Sequence, residues 1–187
     1  MNATLHLVCG KIAAGKSTLC ARLASAPGTV LISEDSWLKR LYGEEMRDVA
    51  DYVRAAAKLR SAMGPHVAAL LRAGVDVVLD FPANTVLTRA WMKEVAEEAG
   101  ARHVLHWLDV DDSTCLARLR RRNAEGGHDF AASEADFALV TRYFEAPSPE
   151  EGLTVRPVPR GEDGGSPDGR GEAAAAPGGP AAAGITP

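Results

Sequence analysis

The chain has 187 residues, 46% of them hydrophobic, enough to bury one good core but too few for two catalytic domains. A formal net charge of −4 offers no positive field to gather long nucleic acid or an anionic membrane surface, so polynucleotide substrates are disfavoured. Cys9, Cys20 and Cys115 are widely separated and form no C-x-x-C, which argues against a disulfide framework or a zinc site and for a reducing compartment.

The N-terminus shows no basic segment leading into an apolar run, and nowhere do about 18 apolar residues follow one another; the expectation is a cytoplasmic protein without signal peptide or membrane span. Thr4 to Cys9 is nearly continuously apolar, as a strand buried on both faces of a parallel sheet requires, and His6 within it reads as a core or edge residue. Gly10-Lys11-Ile12-Ala13-Ala14-Gly15-Lys16-Ser17-Thr18 follows and matches G-x-x-x-x-G-K-[ST], with Leu19, Cys20 and Leu23 at helical spacing behind it. Strand, loop and helix are the context in which this motif cradles a polyphosphate. Gly10 and Gly15 lack a Cβ and let backbone N–H groups come close, and the helix adds the positive end of its dipole. Lys16 is placed to reach the β- and γ-phosphates and the Ser17 hydroxyl to ligate Mg2+. The residues expected at the nucleotide are Gly10, Lys11, Ala13, Ala14, Gly15, Lys16, Ser17 and Thr18. Lys11 is at most an auxiliary contact, equally well a solvated loop lysine; its spacing also matches the deviant Walker motif of MinD-like ATPases, whose loop has glycines where Ile12 and Ala13 stand here.

Pro27-Gly28 makes a turn, and Thr29 to Ser33 is a short β-rich run that reads as the second strand. Glu34, Asp35, Ser36 and Trp37 come at its carboxyl end, the edge at which open parallel sheets bind ligands. Asp35 is placed there for chemistry, or else Asp35 or Ser36 caps the next helix; Trp37 lines a pocket or staples the core. From Glu44 to Arg72 apolar residues keep helical spacing, interrupted at Gly64-Pro65, where a break or kink is expected. Arg47, Asp51, Arg54 and Lys58 share one face, a stripe that is solvated or holds an acidic acceptor.

Val75 to Asp80 reads as the next strand, its end Val77-Val78-Leu79-Asp80 fitting a Walker B pattern in which Asp80 holds a water of the Mg2+ shell. Phe81 to Thr85 is a loop, with Asn84 or Thr85 capping a helix that runs to Gly100, and Arg89 reaches either a phosphate or, preferably, a surface acid. Val104 to Val110 is a fourth strand with His103 and His106 on opposite faces, so they cannot share a metal, and Mg2+ is the only metal inferred. Asp111 or Asp112 caps a helix on which Arg118, Arg121 and Arg122 share a face, with phosphate contact expected from Arg118 or Arg122. Gly126-Gly127-His128 and a capping box at Ser133-x-x-Asp136 follow, as helix, glycine loop and helix build a lid. Leu153 to Val158 supplies a last, edge strand. The domain expected is 1–160, and residues 161–187, almost all Gly, Ala, Pro or charged, form a disordered tail.

With the loop at Gly10 to Thr18, the acid at Asp35, the Walker B end at Asp80 and the run Cys115-Leu116-Ala117-Arg118 through Arg122, the chain resembles small P-loop kinases. More narrowly, it is similar to the bacterial predicted-kinase family related to zeta toxins, chloramphenicol phosphotransferase and polynucleotide kinase. The resemblance spans roughly residues 4–158. It implies an α/β fold: a P-loop NTPase whose five-stranded parallel sheet, in order 2-3-1-4-5, is flanked by helices as in nucleoside-monophosphate kinases. It also implies an acceptor site between the second and third strands and a lid after the fourth. ATP would bind at the loop, with catalytic roles for Lys16, Arg118, Arg122 and Asp35: Asp80 would support Mg2+, Arg118 and Arg122 would clamp phosphates, and Asp35 would activate the acceptor hydroxyl. The sequence departs from the family in lacking the Pro or extra Gly common in the loop, and in having Lys39 and Arg40 rather than an arginine three residues after Asp35.

The function expected is transfer of the γ-phosphoryl group of ATP to a hydroxyl of a small molecule; neither acceptor nor oligomeric state is encoded legibly. A MinD-like switch or assembly ATPase should show D-x-x-G after the Walker B strand, where this chain has Asp80-Phe81-Pro82-Ala83, and GTP specificity should show N-K-x-D, which is absent. A non-catalytic nucleotide-binding module differs from a kinase only by binding without transfer.

Overall fold

The computed structural model describes residues 2–43, 45–47, 49–125 and 132–159. The expected tail at 161–187 and the Gly126-Gly127-His128 loop lie outside them. Five parallel strands, β1 (Thr4–Cys9), β2 (Thr29–Ser33), β3 (Asp76–Pro82), β4 (Arg102–Trp107) and β5 (Val155–Pro157), form one sheet in the order β2-β3-β1-β4-β5. The helices are α1 (Lys16–Ala24), α2 (Glu34–Tyr42), α3 (Val49–Arg72), α4 (Val86–Glu98), α5 (Asp112–Glu125) and α6 (Glu134–Thr141).

Alternation along the central strand divides the core in two. Leu5, Leu7 and Cys9 of β1 face a cluster completed by Leu38 of α2, by Leu59, Val67 and Leu71 of α3 and by Met92 and Val95 of α4. Val8 faces a second cluster with Leu19 and Cys20 of α1, Cys115 and Leu119 of α5 and Phe137 of α6. Full burial of a leucine such as Leu5 or Leu7 is worth roughly 2 kcal/mol, so a strand apolar on both faces is fixed at the sheet's centre, with its carboxyl end at the loop. Beside it, β3 pairs Leu7 with Leu79 and then slips, so that Val8 lies opposite Pro82.

Of the two outcomes expected at Gly64-Pro65, a break or a kink, the break does not occur: α3 runs through it as one helix of 24 residues. Met63, Val67 and Ala68 are held in the core, whereas Pro65 and Ser61 are exposed, so the Ser61 carbonyl that loses its N–H partner faces water. The stripe of Arg47, Asp51, Arg54 and Lys58 is largely solvent-facing, with Arg54 paired to Asp51. On β4, His103 accepts from Thr154 N–H at 3.3 Å, while His106 lies 3.0 Å from the His6 ring nitrogen on the other face.

Candidate active site

Gly10 leaves β1 under close constraint. A Cβ there would lie 3.1 Å from both Leu108 Cβ and the Leu108 carbonyl oxygen and 3.2 Å from Ala14 Cβ, and the Gly10 N–H donates to Asn84 Oδ1 at 3.0 Å. Ala13 (φ 59°) and Gly15 (φ 106°) turn the loop through the left-handed region, which Gly15 enters without steric cost. No side chain caps α1 at Gly15, so its first N–H groups stay open to a ligand. Lys16 folds back across the loop, donating to the Gly10 carbonyl at 2.7 Å and the Lys11 carbonyl at 2.8 Å. Burial lowers its pKa, against the pull of the Asp80 carboxylate. Ser17 and Thr18 are exposed at the helix start. Lys11 turns outward, paired with Asp112 and lying 5.9 Å from the centre of the Phe144 ring.

Asp80 stands near the end of β3, directly beside β1, and pairs in register with Ser33 of β2. Its neighbours include Lys16 and the buried Cys20 thiol, whose pKa rises first through burial and then through that carboxylate. Cys9 is likewise pushed up to about 11 by burial, so neither thiol is a ready nucleophile at neutral pH.

At the end of β2 the helix cap is Ser33, which accepts from Ser36 N–H at 3.4 Å; neither Asp35 nor Ser36 has that task. Asp35 is exposed in the first turn of α2. Glu34, one residue earlier, is fully buried, with Arg60 Nε donating to Oε1 at 3.1 Å and Tyr52 OH to Oε2 at 3.2 Å. Burial raises the Glu34 pKa, opposed by those two partners. Trp37 is 40% exposed, and Leu38 is the core residue of that turn.

The arginines of α5 separate. Arg121 faces solvent toward Glu125, whereas Arg118 Nη1 donates to the Ala14 carbonyl at 3.2 Å, over the loop. Arg122 is half-buried, its Nε shielded without a hydrogen-bond acceptor among the described residues; burial lowers its pKa and the Asp35 carboxylate raises it. Arg89 meets neither phosphate nor surface. It is fully buried, its Nε and Nη2 gripping Glu151 at 2.6 and 2.9 Å while Nη1 donates to the carbonyls of Ala83 and Glu145. Thr85 rather than Asn84 caps α4, which leaves the Asn84 side chain to Gly10. Arg60 and Asn84 are the contributors that periodicity missed, since their partners lie 26 and 74 residues away.

A glycine loop between β1 and α1, a carboxylate on the adjacent strand and the sheet order 2-3-1-4-5 define a P-loop α/β protein. Residues 5–147 match the AAA domain model AAA_33, and the chain belongs to that family. Its fold is similar to that of a Chloroflexus aurantiacus protein whose kinase assignment is itself provisional (23% identity, TM-score 0.65, 84% of this chain and 85% of that one). A sugar kinase from Janibacter sp. HTCC2649 (17%, 0.59, 83% and 84%) and the Mycobacterium tuberculosis APS kinase CysC in complex with AMPPNP and APS (18%, 0.55, 87% and 92%) share it. No curated protein matches the sequence. No described helix is long and apolar enough to cross a membrane.

Proposed function

We propose that the protein is an ATP-dependent kinase that passes the γ-phosphoryl group to a hydroxyl of a small-molecule acceptor. The observation that carries this reading is the sequence of strand ends along one sheet edge. The loop follows β1, Asp80 stands near the end of the adjacent β3, and Asp35 follows β2 two residues beyond the Ser33 that pairs with Asp80. A donor on the loop and an acceptor beside Asp35 face each other across β3. The open N–H groups of α1 take phosphate oxygens, and Lys16 exchanges the carbonyls of Gly10 and Lys11 for the β- and γ-phosphates. Ser17 and Asp80 offer the hard oxygens that would hold Mg2+, and the ion would supply neutralisation of phosphate charge. Arg118, already over the loop, bonds the transferring group. The acceptor oxygen bonds to the γ-phosphorus as the bond to the β-phosphate oxygen breaks, ADP leaves, and Asp35 takes the acceptor's proton.

The narrower kinship with zeta toxins, chloramphenicol phosphotransferase and polynucleotide kinase is part of this reading, supported by Arg118 bonding the loop and Arg122 one turn further along the same helix. Three free, buried thiols suit a cytoplasmic setting. The test is incubation with ATP, Mg2+ and a panel of small hydroxyl compounds, read by mass spectrometry. An acceptor heavier by one phosphoryl group is expected. Tight ATP binding with no phosphorylated product from any class of alcohol would leave a nucleotide-binding module instead.

A further inference from the structure

Asn84 follows the end of β3 by two residues, and β3 lies between β1, which leads into the loop, and β2, which leads to Asp35. Its main chain is held on both sides. Ala83 N–H donates to the Val8 carbonyl at 3.1 Å, the Ala83 carbonyl accepts from Arg89 at 3.1 Å, and the Asn84 carbonyl accepts from Glu145 N–H at 2.9 Å. Arg89 is fixed in turn by Glu151, so a desolvated ion pair stands behind a rigid exit from β3. The side chain is fixed as well. Thr85 caps α4, and the Asn84 carboxamide is left to the loop, where Gly10 N–H donates to Oδ1 at 3.0 Å. Only the oxygen of a carboxamide accepts, so that bond settles which end faces Gly10 and leaves Nδ2 with its two donors. Among the described residues the polar side-chain atoms buried without a partner are Trp107 Nε1 and Arg122 Nε; Asn84 Nδ2 has no partner among those residues and is not one of the two, so it is open to solvent. Both ends belong to one carboxamide, which keeps Nδ2 within about 5 Å of the Gly10 nitrogen. The carbonyl of the same Gly10 holds the Lys16 ammonium.

We infer that Asn84 is a further catalytic residue, its Nδ2 donating to a γ-phosphate oxygen of bound ATP at the point where the strand order sets donor and acceptor on either side of β3. This rests on the kinase reading and adds a contact to it. A donor whose backbone and amide orientation are already fixed meets the charge of the transferring group without reorganising, the condition under which one hydrogen bond counts for most. Oδ1 meanwhile braces the loop, so one side chain serves both ends of the contact.

Two variants separate the donor from the loop bond. Asn84→Asp keeps an oxygen for Gly10 N–H and lacks the N–H donors, whereas Asn84→Leu has a similar shape and lacks both. Calorimetry gives the affinities for MgADP and for Mg2+ with the non-hydrolysable analogue AMPPNP, with no acceptor needed, and turnover is read on an acceptor from the hydroxyl panel. Loss of the Gly10 bond alone weakens the two nucleotides together, since the loop holds phosphates of both; loss of a γ-phosphate contact weakens AMPPNP alone. Asn84→Asp should bind ADP within about threefold of wild type, lose about tenfold or more in AMPPNP affinity and turn over about a hundredfold or more slowly at saturating ATP. Asn84→Leu, which adds no charge, should show the same additional loss for AMPPNP over ADP. Wild-type AMPPNP affinity or an unchanged kcat in Asn84→Asp, or parallel weakening of both nucleotides in both variants, overturns the inference and leaves the kinase in place. A loss for AMPPNP confined to Asn84→Asp is the work of the added charge and overturns it too. Selective loss of AMPPNP in both variants of a protein that phosphorylates no acceptor keeps the contact and removes the kinase.

Discussion

Glu34 and Asp35 are neighbours with opposite fates, because consecutive residues on a helix point about 100° apart and α2 has a single core-facing side. Glu34 goes inward, where it costs desolvation unless Arg60 and Tyr52 meet it; Asp35 stays exposed. Glu34→Gln is thus not the mild change that two adjacent surface acids would suggest. It leaves the Arg60 guanidinium without its counter-charge, and since that side chain is 34% exposed the loss should be about 1–3 kcal/mol, read as a drop in melting temperature. A melting curve superimposable on wild type would show the pair to be incidental. Lys16 braces the loop through the Gly10 and Lys11 carbonyls, and in the proposed kinase it also meets the phosphates. Lys16→Ala should therefore weaken ATP binding, measured by calorimetry, and cut turnover by about a hundred- to a thousandfold; wild-type turnover would take the loop out of the active site.

Elements were legible wherever the signal is local. The loop motif, the five strands, the last of them at the sheet's edge, and the capping box at Ser133 all follow from patterns within a few residues, and the structure forms each. Pro65 leaves the helix unbroken because its local cost is offset by the burial of Met63, Val67 and Leu71 on either side of it, a tertiary gain that no window of sequence reveals. Arg89 misled for the converse reason: on a helix it reads as a surface cation, and its acid lies 62 residues downstream. Through Arg89 the end of β3 is clamped to the C-terminal segment, and the neighbouring Asn84 then reaches Gly10. Gly64 offers a direct check on the continuous helix. A Cβ there would meet Trp91 Nε1 at 3.6 Å and Val95 Cγ2 at 3.7 Å, ordinary contacts. Gly64→Ala should accordingly stabilise by about 0.5–1 kcal/mol and raise the melting temperature by a few degrees, whereas a kinked or broken helix at that point would make it neutral or harmful.

Across the whole molecule the adjacency of β1 and β3 is what a Walker A loop and a Walker B carboxylate acting at one site require, whereas the rest of the order 2-3-1-4-5 was legible only through the resemblance to P-loop kinases. The histidine pair between β1 and β4 was illegible, because His6 and His106 come together only through the register of that pairing. Both rings are held below the ordinary histidine pKa by burial, His106 to about 4, and protonating both would set like charges side by side. Between pH 6.5 and about 4 the unfolded chain takes up a proton at His106 that the folded chain refuses, so stability from this site is full above 6.5 and is lost as the pH falls. Glu34, with its raised pKa, slopes the other way, so the comparison is best made by difference. The gap in melting temperature between wild type and His106→Gln should change by the equivalent of about 2–4 kcal/mol over that window, the variant gaining on wild type as acid is added; a constant gap would mean the ring titrates freely. The central claim, that this sheet edge transfers a phosphoryl group, is tested most directly at Asp35, which is exposed and is not the cap of α2. Asp35→Asn should bind MgATP with near-native affinity and keep its melting temperature while phosphorylating the acceptor at least about a hundredfold more slowly. Unchanged transfer by that variant, or MgATP affinity lost along with activity, would contradict the account.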